Sequence, residues 1–476
     1  MKERLENKKL DTRFHMGDWR SSASVLGIKK YFEYLKSQGI ETEYRAERND
    51  DYIEYNEGDI TRERYLDFAE HHFSEEMHHT RLKNLLKDSQ DRELNEVELK
   101  IFNEKIKGNT VMSKYFKGCT IADKDKIDKI LEENRYDIIE NTFKNGMSQY
   151  RNFCNPNSFL SDGNKTCRVN GYSIDMGKKG KSAGYMQDMN AYVWEDYKEY
   201  DFIPFAFTTT WEAFFINNNY NIGTLESTYN KLQRTLKAKK EYDGKQSKVK
   251  SALFEFNQES ATFVDYDVEV IKKDRNNDHF ETIYVRDESI EIFKQIGERY
   301  KGIQFSIKVT DKYYIKVEDE VVNAILNLYK LDTLIEKLIK METNVYNLVD
   351  VNFYIYETLK SEEQRERNRD KLEDGETMKD RLENARKTGW AVKNALNSRS
   401  NGSQKVKSFK NKLISAISFR DYDAFNLTLM KLSDYSGIIF DFAYELFDNF
   451  EENKNLAYAF INALNESENK GSKGDK

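Results

Sequence analysis

The chain has 476 residues, of which 33% are charged and 38% hydrophobic, and its net charge is −7, so about three domains are expected. Its 30 tyrosines and 29 phenylalanines exclude a disordered chain, and three cysteines, Cys119, Cys154 and Cys167, exclude a disulfide scaffold. There is no apolar signal core and no apolar run of the ~18 residues that span a membrane, so we expect a cytoplasmic protein without a membrane partner.

The N-terminal part, 1–150, reads as a hairpin followed by helices. Residues 21–38 predict a helix that begins at Ser21 or Ser22 and stops at Gly39. Alternation at 41–47 and 52–55 predicts a β-hairpin. From 61 to 153 the pattern is mostly helical.

A histidine cluster, HHFSEEMHH, lies within these helices. It contains His71, His72, His78 and His79 beside two glutamates. On a continuous helix such a face could bind a metal, but the spacing fits neither HExxH nor HxxEH. We expect an exposed polar helix and no metal, with a metal-dependent enzyme using this cluster as the alternative.

Residues 151–200 are rich in glycine and lysine. Lys178, Lys179 and Lys181 stand among four glycines, and glycine lets a backbone approach a phosphate closely. The segment is not a P-loop, because Asp175 replaces the first glycine of that motif. We predict that the three lysines contact nucleic acid, with a plain surface loop as the alternative.

The segment DFIPFAFTTTWEAFFINNN, 201–219, combines an aromatic block with three asparagines. Its apolar runs predict a pair of strands, 202–207 and 211–216, that ends in a polar turn. An asparagine amide offers a donor and an acceptor to the edge of adenine. We therefore predict that Asn217, Asn218 and Asn219 face DNA, the alternative being a turn without a binding role.

The remaining elements complete an α+β fold. A helix is predicted at 222–240, strands at 252–256, 261–272, 280–285, 303–309 and 312–317, and helices at 318–341 and 344–360. The strand-rich core is 201–360, and 361–377 is a charged linker or exposed helix. A C-terminal helical bundle, 378–466, is expected with helices at 378–397, 404–419, 421–434, 436–450 and 453–466, before a disordered tail, 467–476.

Three basic islands interrupt the acidic chain, at 165–181, 231–250 and 379–412, with local charges of about +4, +6 and +8. Such clusters fit phosphate binding, although each one could also be an ordinary solvated face. From the second and third islands we select as nucleic-acid contacts Lys231, Arg234, Lys237, Arg386, Lys387, Lys405 and Lys407.

Motifs of catalysis are absent from the sequence. It contains no GxSxG, no Walker motif and no His-Asp nuclease doublet. We expect neither enzymatic activity nor a cofactor.

Three segments carry a family resemblance: DWRSSASVLGIKKYF, with Trp19 and Gly27; DFIPFAFTTTWEAFFINNN; and KLISAISFRDYDAFNLTLMKLSDYSG. They resemble the large subunit of the type I-B CRISPR surveillance complex (Cascade), in its Cst-type branch. That branch carries two CxxC pairs. This chain keeps only Cys154 and Cys167 there, which suggests a degenerate zinc-ribbon-like insertion.

The resemblance implies a non-catalytic role in antiviral defence. A large subunit of this kind holds the foot of the CRISPR RNA and senses the protospacer-adjacent motif on double-stranded target DNA. It supports R-loop formation, binds other Cascade subunits, and presents the displaced strand to a helicase-nuclease recruited in trans. The alternative from this class is a standalone RNA-binding phage-defence protein.

The resemblance also suggests a second translation product. In such families the small subunit is often made from an internal start. Met378 follows a Gly-Glu-Thr sequence whose codons can form a ribosome-binding site. The hypothesis is that residues 378–476 are also made separately.

Overall fold

The structure is a computed structural model that describes residues 10–75, 77–91, 95–107, 111–144, 198–208, 212–243, 268–274, 280–311, 313–361 and 377–465. The chain divides into two compact units, 1–259 with 266–285, and 286–476 with 260–265. The division near residue 285 lies inside the range 201–360, which the sequence analysis treated as one core.

The first unit combines two three-stranded sheets with helices. Its elements are β1 Thr12–His15, α1 Trp19–Ser37, β2 Tyr44–Arg45, β3 Tyr52–Tyr55, a 3-10 turn Glu57–Asp59, α2 Arg62–His72, α3 His78–Asp91, α4 Glu96–Lys107, α5 Met112–Tyr115, a 3-10 turn Ile121–Asp123, α6 Lys124–Glu133, α7 Arg135–Lys144, a 3-10 helix Lys198–Ala206, β4 Glu212–Asn217, α8 Ile222–Asp243, β5 Val268–Asp274 and β6 Phe280–Val285.

Helix α1 is the centre of this unit, and its limits follow from local chemistry. The carboxylate of Asp18 accepts hydrogen bonds from the backbone N–H groups of Arg20 and Ser21, so the cap lies before the predicted serines. The helix ends just before Gly39, whose positive φ of 73° confirms the predicted stop.

The predicted hairpin is confirmed and gains a third strand. Strands β2 and β3 pair antiparallel, and β1 pairs with the other edge of β3, giving the order β1-β3-β2. Arg13 lies opposite Glu54, and their side chains form an ion pair of 2.6 Å. Strand β1 was not predicted from the sequence.

The first half of the aromatic block is helical, so the predicted strand at 202–207 is wrong. Residues 198–206 form a 3-10 helix that contains Pro204, which has no N–H to give to a strand partner. Its carbonyl groups accept side-chain donors instead: the Tyr65 hydroxyl binds Asp201 O at 2.7 Å and Lys30 Nζ binds Phe205 O at 2.7 Å.

Helix α1 packs directly on this 3-10 helix, and a glycine permits the contact. A Cβ atom on Gly27 would lie 2.1 Å from the carbonyl oxygen of Phe202. Around this point Trp19, Tyr31 and Phe205 belong to one buried core. Two of the segments that carry the family resemblance are therefore in contact in the fold.

The second half of the block forms a strand, as predicted. Strands β4, β5 and β6 make an antiparallel sheet in which Phe215 lies opposite Ile271. The strand prediction at 280–285 is confirmed by β6, and that at 261–272 is confirmed in part by β5. The strand predicted at 252–256 lies outside the described residues.

Helices α3 to α7 bury a separate hydrophobic cluster within the first unit. It contains Leu82, Phe102, Phe116, Ile127 and other buried side chains. Cys119 is buried in this cluster, where it acts as a small apolar side chain.

The second unit is mainly helical. Its elements are α9 Asp287–Ile296, a 3-10 helix Gly297–Ile303, β7 Ser306–Thr310, β8 Tyr313–Lys316, α10 Val317–Asn327, α11 Asp332–Lys340, α12 Tyr346–Leu359, α13 Met378–Asn397, α14 Gly402–Ser418, α15 Tyr422–Ser436, α16 Ala443–Asp448 and α17 Phe450–Asn465. The α+β class with a C-terminal helical region is thus confirmed.

Two predicted helices are interrupted in this unit. The helix predicted at 318–341 breaks at Leu328, which has a φ of +52°, and the Asn352 side chain accepts the N–H of Leu331 at 2.7 Å. The helix predicted at 436–450 is reduced to α16, because Gly437 adopts a φ of +73° and ends α15. Helix α13 starts at Met378 as predicted, where Thr377 and Asp380 form a capping box.

The C-terminal helices pack on residues that precede Met378. Helix α17 is buried along most of its length, and Asn352 donates to Asn455 at 2.8 Å. The side chain of Asn462 accepts the N–H of Val345 at 2.9 Å. A product that begins at Met378 would lack these partners, so the structure does not favour an independently folded bundle.

Several predictions fall outside the described residues. These are the zinc-ribbon-like insertion with Cys154 and Cys167, most of the charged linker, and the tail. They stay predictions. No described helix is long and apolar enough to cross a lipid bilayer.

Candidate nucleic-acid interface

The three asparagines are placed in two different environments. Asn217 and Asn218 are buried, and their amides donate to Glu269 Oε2 at 2.9 Å and Thr228 Oγ1 at 3.0 Å. Asn219 is exposed, and its amide donates to the carbonyl of Gly17 at 2.6 Å. In this conformation the first two stabilise the sheet and helix α8, and they present no amide to a base. Their expected role as base readers therefore has no support from their placement.

Helix α8 carries two exposed cations of the second basic island. Leu232, Thr235 and Leu236 are buried on one side, whereas Arg234 and Lys237 are exposed on the other. Residue Lys231, in contrast, is half-buried. Because an α-helix has 3.6 residues per turn, the buried side chains of α8 lie on one face and these two cations lie on the solvent-facing side.

Arg386, in the third island, is a structural residue. It is buried in α13, and its Nη2 atom donates to Asp350 Oδ1 at 2.6 Å and to the carbonyl of Tyr346 at 3.2 Å. Its guanidinium carbon lies 3.7 Å from the centre of the Tyr346 ring. The expected phosphate contact of Arg386 is wrong, because its guanidinium is buried and its terminal nitrogens are held by Asp350, Tyr346 and Glu383.

The other three cations chosen from this island are exposed. Lys387 follows Arg386 on α13 and points to solvent, as do Lys405 and Lys407 on α14. Lys407 Nζ lies 3.7 Å from Glu342 Oε1, a distance typical of a weak surface ion pair. These three ammonium groups are available to an anionic partner.

Cations inside the first unit also serve the fold. Lys30 donates to Phe205 O, and its Nζ lies 2.9 Å from the centre of the Tyr229 ring. Burial lowers the pKa of Lys30 well below its ordinary value. Basic sequence alone therefore does not identify a phosphate contact, and exposure has to be known as well.

The histidine cluster does not lie on one helix. Helix α2 ends at His72 and α3 begins at His78, so the expectation of a single exposed polar helix is wrong. His79 is buried and its Nε2 hydrogen-bonds to Glu70 Oε1 at 2.9 Å. Burial by itself raises the pKa of Glu70. Hydrogen bonds from His79 and Arg135 outweigh this effect and lower the pKa to about 2.

No group of three or more His, Cys, Asp or Glu side chains is arranged to hold a metal ion in the part of the chain that the structure describes. The residue pair His79–Glu70 instead links α3 to α2.

Lys178, Lys179 and Lys181 lie outside the described residues, and their predicted contact with nucleic acid stays a prediction.

One aromatic residue that the helical pattern placed on an apolar bundle face, together with Leu413, Ile414 and Ile417, is exposed instead. Phe419 follows α14 and is 81% exposed. The sequence signal for this position is the place of the ring. It lies just after the end of an amphipathic helix, whose last turn contains Ile417, and next to Arg420. Exposed rings beside cations are typical of surfaces that stack nucleic-acid bases.

Fold and surface together define a helix-rich α+β protein with exposed cations on separate helices. Residues 10–464 match the family of CRISPR-associated protein Csx8. Because the match covers nearly the whole chain, the protein belongs to this CRISPR-associated family. No curated protein and no solved structure matches the chain.

Proposed function

We propose that this protein is the non-catalytic large subunit of a type I-B CRISPR surveillance complex. In that role it binds the foot of the CRISPR RNA, senses the protospacer-adjacent motif on duplex DNA and supports R-loop formation. Other Cascade subunits hold the guide, and a helicase-nuclease acts on the displaced strand. Membership of a CRISPR-associated family is the observation that carries the proposal.

The distribution of cations supports a nucleic-acid partner. Arg234 and Lys237 are exposed on α8, and Lys387 and Lys405 are exposed on helices of the second unit. Exposed cations bind phosphates by releasing condensed counterions, so their contribution depends on salt. The net charge of −7 favours contact through such local patches over a uniformly basic surface.

Co-purification tests the proposal. The tagged full-length chain, expressed with its neighbouring genes, should bring down a guide RNA and the backbone subunits. Recovery of RNA without backbone subunits would instead favour a standalone RNA-binding protein. Recovery of neither would refute the assignment.

The contribution of α8 can be tested separately with a double variant. Arg234→Ala with Lys237→Ala should weaken binding to duplex DNA and lower the slope of log K against log salt by about 1–2. The matched control is Lys126→Ala with Lys129→Ala, which removes two exposed cations from α6. Equal slopes for the two double variants would exclude α8 from the interface.

A further inference from the structure

A cleft of about 350 Å³ opens in the second unit between the end of α11 and helix α14. Ile339 and Ile414 give it apolar, buried walls, and Lys340 and Lys410 add two cations. The exposed ring of Phe419 stands at the end of α14 and lines the same cleft. An apolar surface, a ring and two ammonium groups thus meet in one small space.

The carboxylate of Glu342, which also lines the cleft, pairs with Lys410 and with Lys407 of the preceding helical turn. Lys410 Nζ donates to Glu342 Oε1 at 3.2 Å, and Lys407 Nζ lies 3.7 Å from the same oxygen. The hydrogen bond from Lys410 lowers the pKa of Glu342, so the carboxylate is charged at neutral pH. Two ammonium groups around one anionic oxygen are the arrangement that also binds a phosphate oxygen.

The backbone at Glu342 is unusual. Its φ is +57°, a left-handed conformation that glycine or asparagine adopts more readily than glutamate. Strained residues of this kind persist where the surrounding structure holds them, and they concentrate at ligand sites. Here the conformation brings an anionic side chain to Lys407 and Lys410.

We propose that the cleft binds one nucleotide of a single-stranded nucleic acid, and that Glu342 occupies the phosphate position in the free protein. The base stacks on Phe419, and the phosphate replaces the Glu342 carboxylate between Lys407 and Lys410. This inference rests on the proposed function and deepens it by assigning a contact site for a single strand. Glu342 acts as a built-in competitor that sets the affinity.

The geometry favours a single strand over a duplex. The faces of bases in a duplex are already stacked, whereas a single strand can place a base on an exposed ring. Asn411, Ser415 and Ser418 lie on the cleft side of α14, one helical turn apart. Asn411 and Ser415 offer donors and acceptors to the sugar and the base edge, and Ser418, whose hydroxyl donates to the carbonyl of Ile414, offers an acceptor. Both DNA and RNA present this chemistry.

Binding of labelled oligonucleotides to the full chain tests the site by fluorescence anisotropy, with oligothymidine and oligouridine of about 12 nucleotides. Glu342→Gln keeps a hydrogen-bond acceptor for Lys410 but removes the competing charge, so affinity should rise about threefold. The matched control is Glu291→Gln, which removes an exposed carboxylate that pairs with Lys294. This control should leave affinity unchanged.

Removal of the ring gives the opposite effect. Phe419→Ala should weaken binding about tenfold, because a stacked base loses its platform. Tyr444→Ala is the control, since this ring is 70% exposed in the same unit but outside the cleft. Circular dichroism of each variant checks that the chain is folded.

The outcomes separate the site from the wider function. Equal effects of Glu342→Gln and Glu291→Gln, or equal effects of Phe419→Ala and Tyr444→Ala, would overturn the cleft proposal. If the chain still co-purifies with guide RNA and backbone subunits, the proposed function survives that failure. Stronger effects on oligothymidine would indicate the displaced DNA strand, and stronger effects on oligouridine would indicate the guide RNA. Equal effects on duplex DNA would contradict the single-strand assignment.

Discussion

Replacing Gly27 by alanine tests the close approach of α1 to the 3-10 helix Lys198–Ala206. The new Cβ would lie 2.1 Å from Phe202 O, whereas ordinary contact begins at 3.4 Å, so the two segments must separate by roughly 1.3 Å. The obstacle is backbone, which cannot rotate away as a side chain can. Overpacking of a core costs about 1–3 kcal/mol. This cost is partly offset, because alanine is more favourable than glycine inside a helix by about 1 kcal/mol.

The net loss also includes contacts that depend on this spacing. Separation would lengthen the hydrogen bond from Lys30 to Phe205 O, which contributes about 1 kcal/mol. We therefore expect the variant to lose about 1–3 kcal/mol of stability in the first unit. Urea unfolding and hydrogen exchange of peptides from α1 measure this loss. Gly17→Ala is the control, because its Cβ meets only Ser21 Oγ at 4.0 Å. Equal stability of the two variants would refute the packing argument.

Two further predictions concern one buried and one partly buried ion pair. Arg386→Ala should destabilise the second unit by about 3–5 kcal/mol in urea unfolding, because it leaves the buried Asp350 carboxylate without its main partner, while Lys387→Ala should change stability little. The pKa of Glu70 lies at about 2 in the fold, below the ordinary 4.5, so its contribution is complete above about pH 4.5 and is lost as pH falls towards 2. Glu70→Gln should lower the free energy of unfolding by about 1–2 kcal/mol at pH 7, after allowance for solvent screening. The same variant should flatten the decline of stability in acid. An unchanged pH profile would show that the bond to Arg135 adds nothing.

Local patterns predicted the helices well where capping and periodicity agreed. Helix α13 runs over 378–397 as the sequence indicated, because its capping box and its apolar spacing both act over a few residues. The 3-10 helix at 198–206 could not be predicted in this way. Its conformation depends on donors from Lys30 and Tyr65, which are 175 and 136 residues away.

The α+β class, most helices and the CRISPR-associated family could be predicted from the sequence, since these depend on local propensity and on motifs spread along the chain. Which polar side chains face solvent depends on the tertiary structure. Arg386 and Lys387 are neighbours with the same charge, yet the first is buried against Asp350, 36 residues away, and the second is exposed. Asn217 is likewise buried against Glu269, 52 residues away. Burial of a polar group requires a partner, and distant partners are brought close only by the fold.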